Sequence, residues 1–286
     1  MKNERRDVVN FNSLHFAVFL PLVFALYWSL PHRFRWFLLL LSSYYFYMSW
    51  NAKYVFLILF TTVISYAAAI LLEENPRHGR RKLILGGTLI ACLGVLLLFK
   101  YGNFLLESIA GLLSVFAIPF HPVTLRLLLP VGISFYTFQT LSYVIDVYRG
   151  RIKAERHFGI YATFVSFFPQ LVAGPIERSE NLLPQIKAEH QFDYDQASYG
   201  MKLMTWGFFK KMVIADNLAL YVDRIYNNVL QYYGFSLILA TVFFTIQIYC
   251  DFSGYSDIAR GAAKLMGIEL MENFKSPYFS TSIREF

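Results

Sequence analysis

Gln247-Ile248-Tyr249-Cys250-Asp251-Phe252-Ser253-Gly254-Tyr255-Ser256-Asp257 sets two carboxylates just beyond Val229–Cys250, an uncharged run long enough to cross a bilayer. About 20 predominantly apolar residues span a hydrocarbon core as a helix. An ionisable group at or near that depth is costly, so it faces a protein interior or a water-filled cavity and marks a substrate path.

Outward from this stretch the whole chain has the same texture. Of 286 residues, 56% are hydrophobic, 19% aromatic and 16% charged. A soluble domain carries about 25% charged residues. Charge-free windows recur at Val8–Pro31, Trp36–Ala52, Tyr54–Leu72, Leu83–Phe99, Leu127–Ile145, Phe158–Ile176 and Val229–Cys250, with Asn103–Phe120 added if Glu107 is allowed. In lipid every backbone polar group must be paired internally, which leaves helices or a closed barrel. Barrel strands alternate polar and apolar over short segments, whereas these runs are continuous. The fold class is therefore all-α, a polytopic integral membrane protein. Tyr44-Tyr45-Phe46-Tyr47 and Tyr27-Trp28 lie near window ends, where headgroup anchoring and packing between helices fit equally well.

The net charge of +7 follows from short basic loops, not from a nucleic-acid surface. Arg77, Arg80, Arg81 and Lys82 form one cluster; Arg149, Arg151, Lys153 and Arg156 form another. Both are expected on the cytoplasmic side. Counting back from the first places the N-terminus outside. Both loops share a side only if one of Asn103–Phe120 and Leu127–Ile145 does not cross fully, and Glu107 with Pro119–Pro122 singles out the former as re-entrant or interfacial. The N-terminal Lys2-Asn3-Glu4-Arg5-Arg6 precedes an apolar run without a small-x-small cleavage site, so a retained first helix is expected. Cys92 and Cys250 define neither a metal spacing nor a disulfide scaffold.

From Leu127 onward polar residues enter the apolar runs, and Phe167-Phe168-Pro169-Gln170 with Ala173-Gly174-Pro175 breaks one window from within. Broken helices are tolerated at membrane depth where protein or a water-filled cavity satisfies the backbone. A site is expected in this second half. Residues 177–202 are the longest hydrophilic stretch. Met201–Ile214 reads as an interfacial helix whose Lys202, Lys210 and Lys211 snorkel outward.

None of the six histidines sits in the middle of an apolar window, and there is no Gly-x-Ser-x-Gly, phosphate loop or His/Cys metal cluster. Gln139, Ser142 and Asp146 share one helix face. That stripe serves either a polar path or interhelical hydrogen bonding, and the latter is common in membranes. Gln247 pairs by spacing with Asp251, and Ser253 with Asp257. Asp257 has Arg260 three residues on, so a structural ion pair accounts for it alone. Asp251 has no basic neighbour on its own face, which makes it the more conspicuous carboxylate. Their spacing of six is no metal-loop pattern. Gly254 and Gly261 permit close helix approach.

Phe11-Asn12-Ser13, Pro130-Val131-Gly132-Ile133-Ser134-Phe135-Tyr136-Thr137-Phe138-Gln139, Phe168-Pro169-Gln170-Leu171-Val172-Ala173-Gly174-Pro175-Ile176, Tyr249–Asp257 and Asn273-Phe274-Lys275-Ser276-Pro277-Tyr278 together resemble the membrane-bound O-acyltransferase family. The resemblance is to the branch of bacterial alginate O-acetyltransferases and peptidoglycan O-acetylation proteins, with teichoic-acid D-alanylation proteins further off. It implies a ring of tilted and broken helices around a tunnel, with residues 1–126 peripheral and 127–286 part of the tunnel-lining core of a single domain. It implies no bound cofactor, and acetyl-CoA or another acyl thioester as the cytoplasmic donor. The acceptor is an extracytoplasmic polysaccharide, reached with a periplasmic SGNH-type acetyltransferase partner, and the location is a bacterial cytoplasmic (inner) membrane. Gln139, Asp146, Gln170, Asp251 and Asp257 carry over as tunnel-lining residues. The family's histidines would follow Glu285-Phe286, so the chain is expected to be an N-terminal portion, without the catalytic His and inactive by itself.

Two other classes fit parts of this pattern. A transporter or flippase also uses broken helices and midplane polar groups, though no inverted repeat is visible. A non-catalytic membrane scaffold would need no buried base.

Overall fold

The computed structural model describes residues 11, 13–116, 129–171, 174–175 and 177–283. Among them there are helices and turns and no strand. The chain is an all-α, multi-pass membrane protein.

Helix α1 (Leu14–Ser29) starts where the Ser13 hydroxyl accepts the Phe16 N–H at 3.2 Å. A Pro31 turn reverses it into α2 (His32–Met48). The pair is antiparallel. Arg35 at the start of α2 lies over the Tyr27 and Trp28 rings at the end of α1, at 5.0 and 4.9 Å. At the other end Phe19 stacks on Tyr45 at 5.8 Å. Tyr27, Phe46 and Tyr47 are buried, so for these rings helix packing wins over headgroup anchoring.

Helix α3 (Val55–Glu74) ends in Glu73 and Glu74, which Arg156 grips at 2.9 and 2.8 Å. Helix α4 (His78–Val115) then runs 38 residues without a break, about 57 Å at 1.5 Å per residue. The windows Leu83–Phe99 and Asn103–Phe120 are therefore one helix as far as Val115, and Pro119–Pro122 lie outside the described residues. Helix α5 (Ile133–Tyr148) returns antiparallel: Arg81, near the start of α4, donates to the Tyr148 carbonyl at 2.5 Å. Both basic loops thus lie at one end of the protein. The expectation of a separate re-entrant or interfacial segment at Asn103–Phe120 is corrected as far as Val115, because the helix simply continues through Glu107.

Helix α6 (Phe158–Ser166) begins at that basic end and runs alongside α2, Thr163 Oγ1 donating to the Trp36 carbonyl at 3.2 Å. It stops at Phe167, whose ψ of 109° leaves the helical region, and α7 (Phe168–Leu171) follows for one turn. Ser43 of α2 accepts the freed Phe168 N–H at 3.0 Å. Helix α8 (Ser179–Lys187) brings the chain back to the basic end, where Lys187 pairs with Glu155. Arg35 donates to the His190 carbonyl nearby at 2.7 Å.

Helix α9 (Tyr194–Phe208) rises again, capped by Asp193, and passes into a π-helix at Phe209–Ala215 and then α10 (Asp216–Tyr226). Helix α11 (Phe235–Leu265) descends to the basic end, where Trp28 Nε1–H donates to the Leu265 carbonyl at 3.0 Å. Helices α9 and α11 cross antiparallel on four glycines. A Cβ at Gly207 would meet the Gly254 carbonyl at 2.6 Å, and one at Gly200 the Gly261 carbonyl at 2.8 Å. Small residues at such positions let membrane helices approach backbone to backbone.

By length and apolar character, 52–74, 78–115 and 235–265 can each cross a membrane. The windows at Trp36–Ala52, Leu127–Ile145 and Phe158–Ile176 yield helices of 17, 16 and 9 residues. These fall at or below the lower limit for a span, about 17 residues.

Candidate functional site

The break after α6 frees carbonyls that a continuing helix would have used. Two side chains meet one of them. Gln139 on α5 and Gln170 on α7 both donate to the Phe164 carbonyl, at 2.9 and 3.1 Å. Of the two roles open to Gln139, interhelical hydrogen bonding is the one its geometry displays. Gln170 Oε1 is buried with no hydrogen-bond partner among the described residues, as is Thr137 Oγ1. Gly132 holds a left-handed φ of 74° and lies against the Leu171 carbonyl, which seats the start of α5 on α7.

Asp146 stands apart. It is buried near the basic end of α5 and pairs with Arg151 at 3.4 Å, while its carbonyl accepts the Arg151 N–H at 3.0 Å. It shares a face with Gln139 but not its surroundings.

The carboxylates of α11 are partnered from the π-helix. Lys210 is only 6% exposed; its ammonium donates to Ser253 Oγ at 2.6 Å and pairs with Asp257 Oδ2. Arg260 approaches the other Asp257 oxygen at 3.6 Å, so the neutralisation expected from spacing is present but shared. Lys211 donates to Asp251 Oδ1 at 2.5 Å and sits 2.9 Å from Asp216 Oδ1. The Asp251 side chain is 35% exposed, and its Oδ2 accepts no hydrogen bond among the described residues.

This corrects the expectation for Met201–Ile214. Lys202 is exposed, but Lys210 and Lys211 turn inward onto α11. The physical reason is ionic: carboxylates on an apolar helix are costly unless paired, and these two lysines supply the counterions. Sequence reading missed both lysines because their partners lie some forty positions away and π-helical winding leaves no pattern in the residues. The signal that was available was the lone Asp251, whose counterion had to come from another element.

Helix α7, which carries Gln170, packs against α11, so the broken-helix carbonyl site and the α11 carboxylates belong to adjacent elements. Among the histidines, His157 Nδ1 accepts the Ile160 N–H at 3.1 Å and caps α6, and His190 bonds the Gln185 carbonyl at 2.7 Å. His121 lies outside the described residues.

Outside the membrane helices one loop is tightly fastened. The Gln185 amide gives and receives a hydrogen bond with the Glu269 backbone, at 2.9 and 2.7 Å. Glu177 accepts the Met271 N–H and, at 2.8 Å, the Asn181 side chain. Burial raises the Glu177 carboxyl above its ordinary pKa, and these donors offset only part of that.

Residues 155–286 match the family model described as MBOAT, membrane-bound O-acyltransferase family. Over 273 residues the chain is 40% identical to the probable alginate O-acetylase AlgI of Pseudomonas aeruginosa, covering 94% of this chain and 51% of that protein. It is 33% identical over 274 residues to a peptidoglycan O-acetyltransferase of Helicobacter pylori, covering 87% and 51%. A teichoic acid D-alanyltransferase of Bacillus subtilis is 30% identical over 179 residues, covering 59% and 43%. The chain spans about half the length of the curated relatives it matches first.

Proposed function

The chain belongs to the membrane-bound O-acyltransferase family, and from that premise we propose that it forms much of the wall of an O-acyltransferase site. In this reading an acetyl or other short acyl group passes from a cytoplasmic thioester, acetyl-CoA or a similar donor, to a hydroxyl on the outer side of a bacterial inner membrane. The final acceptor is an envelope or secreted polysaccharide, with a periplasmic acetyltransferase as partner. A ring of helices around a tunnel would house the path.

The observation that carries the reading is Asp251: a carboxylate on a helix long and apolar enough to cross a membrane, held by Lys211 on one oxygen and without a donor on the other among the described residues. Orphaned polar atoms beside the α6–α7 break support a polar passage next to it, since buried polar groups need partners. Gln139 and Gln170 hold the broken backbone of that wall, Asp257 anchors α11, and Asp146 serves the basic end. The acceptor oxygen attacks the acyl carbonyl, a C–O bond forms, and the C–S bond breaks. The hydroxyl proton goes to a general base, a role the family resemblance gives to a histidine. The thiolate leaves and is protonated.

The test is transfer of labelled acetyl from its thioester to envelope polysaccharide by membranes containing the full-length protein. Label on the polymer, absent from membranes of a strain lacking the gene, is the expected result. Equal labelling in both strains contradicts the proposal.

A further inference from the structure

That reading uses the tether on Asp251 but leaves open what the π-helical turn and its two consecutive lysines do for it. π-helical segments are rare and frequent at functional sites. In an α-helix successive side chains diverge by about 100°, yet Lys210 and Lys211 both reach α11. The wider winding of Phe209–Ala215 coincides with this double reach. Gly254 completes it, because a Cβ there would come within 3.1 Å of the Lys211 backbone nitrogen.

The two lysines treat their carboxylates differently. Asp257 is closed, with Lys210 on one oxygen and Arg260 near the other. Asp251 is held on Oδ1 alone. Its lysine is braced further by Asp216 and by the Tyr255 ring, 5.3 Å from the ammonium. An ionised carboxylate offers about four acceptor sites, and among the described residues no donor reaches Oδ2 of Asp251, whose side chain is 35% exposed.

Resting on the acyl-transfer reading, we infer that Lys211 is a positioning residue: it fixes Asp251 so that Oδ2 receives a hydrogen bond from a hydroxyl-bearing acceptor. Asp251 is the group that touches substrate. Lys211 acts through it, and Lys210 with Asp257 forms the anchor that keeps the π-helix seated on α11.

The experiment uses the full-length protein in membranes, measuring acetyl transfer and thermal unfolding for wild type, Lys211→Met, and the exchange Lys211→Asp with Asp251→Lys. Lys211→Gln replaces Lys211→Met if the latter is not recovered folded. The neutral variant should lose roughly 100-fold in rate, the scale of a misplaced reacting group. The exchange restores an ion pair but moves the carboxylate to the wrong helix. It should regain wild-type unfolding temperature while transfer stays lost. Recovery of both would reduce the pair to a structural contact and overturn the inference. A neutral variant as fast as wild type would do the same while leaving the acyl-transfer reading intact. A wild-type protein that transfers no acetyl group overturns that reading and this inference together.

Discussion

Gln139 and Gln170, thirty-one positions apart, converge on a single acceptor, the Phe164 carbonyl at the end of α6. The carbonyl is exposed to them because the helix stops at Phe167, and its burial makes the partners necessary. Leaving a buried acceptor unsatisfied costs about 1–3 kcal/mol. Gln139→Leu should therefore destabilise mildly, since Gln170 remains. Gln139→Leu combined with Gln170→Leu should cost more than the sum of the single changes. Thermal unfolding of the four proteins in detergent checks this, and strict additivity would contradict the shared-acceptor account.

Lys210 and Asp257 are a nearly dry ion pair. Removing one partner of such a pair costs about 3–5 kcal/mol, because the other charge is stranded. Lys210→Met should lower the unfolding temperature sharply, and adding Asp257→Leu should recover most of the loss. If the double variant is no better than the single, the pair is not the source of the cost.

The α9–α11 crossing should reject any added side-chain atom. A Cβ at Gly254 would sit 2.8 Å from the Gly207 carbonyl, and one at Gly261 would sit 2.5 Å from the Gly200 carbonyl. Overpacking a close-fitting contact costs about 1–3 kcal/mol or more. Gly254→Ala and Gly261→Ala should each reduce the yield of monodisperse protein. Gly111→Ala, with open space around its Cβ position, should not. Equal yields for all three would contradict the packing described.

Glu177 gives a pH signature with a definite sign. Its carboxyl is raised in the folded protein by burial, so the folded state holds a proton that the unfolded state has already released. Stability should then increase as pH falls through the window between the unfolded and folded values. Glu177→Gln should flatten that part of the stability–pH curve. Unfolding temperature measured across the acidic range checks it, and an unchanged slope in the variant would assign the dependence elsewhere.

Much of this was legible in the residues, and the rest was hidden for identifiable reasons. Apolar runs revealed the helices because lipid leaves the backbone no other partners. The Phe167–Pro169 break was readable from proline and from the polar residues around it. The continuity of α4 through Tyr101–Glu107 was not, since charged residues inside a long helix look like a loop when only windows are counted. Asp251 drew attention through a missing neighbour, but Lys211 could be found only once α9 and α11 were placed side by side. The glycines that place them there were visible on one helix, at Gly254 and Gly261, while Gly200 and Gly207 drew no notice on the other.

The most direct test of the account is acetyl transfer by the full-length protein carrying Asp251→Asn, assayed in membranes against wild type at equal folded abundance. The amide keeps the shape of the side chain and removes the charge that Lys211 holds. The account predicts that the variant still inserts in the membrane while polysaccharide labelling, at equal folded abundance, falls by roughly 100-fold. Labelling at the wild-type rate would remove Asp251 from the site and contradict the account.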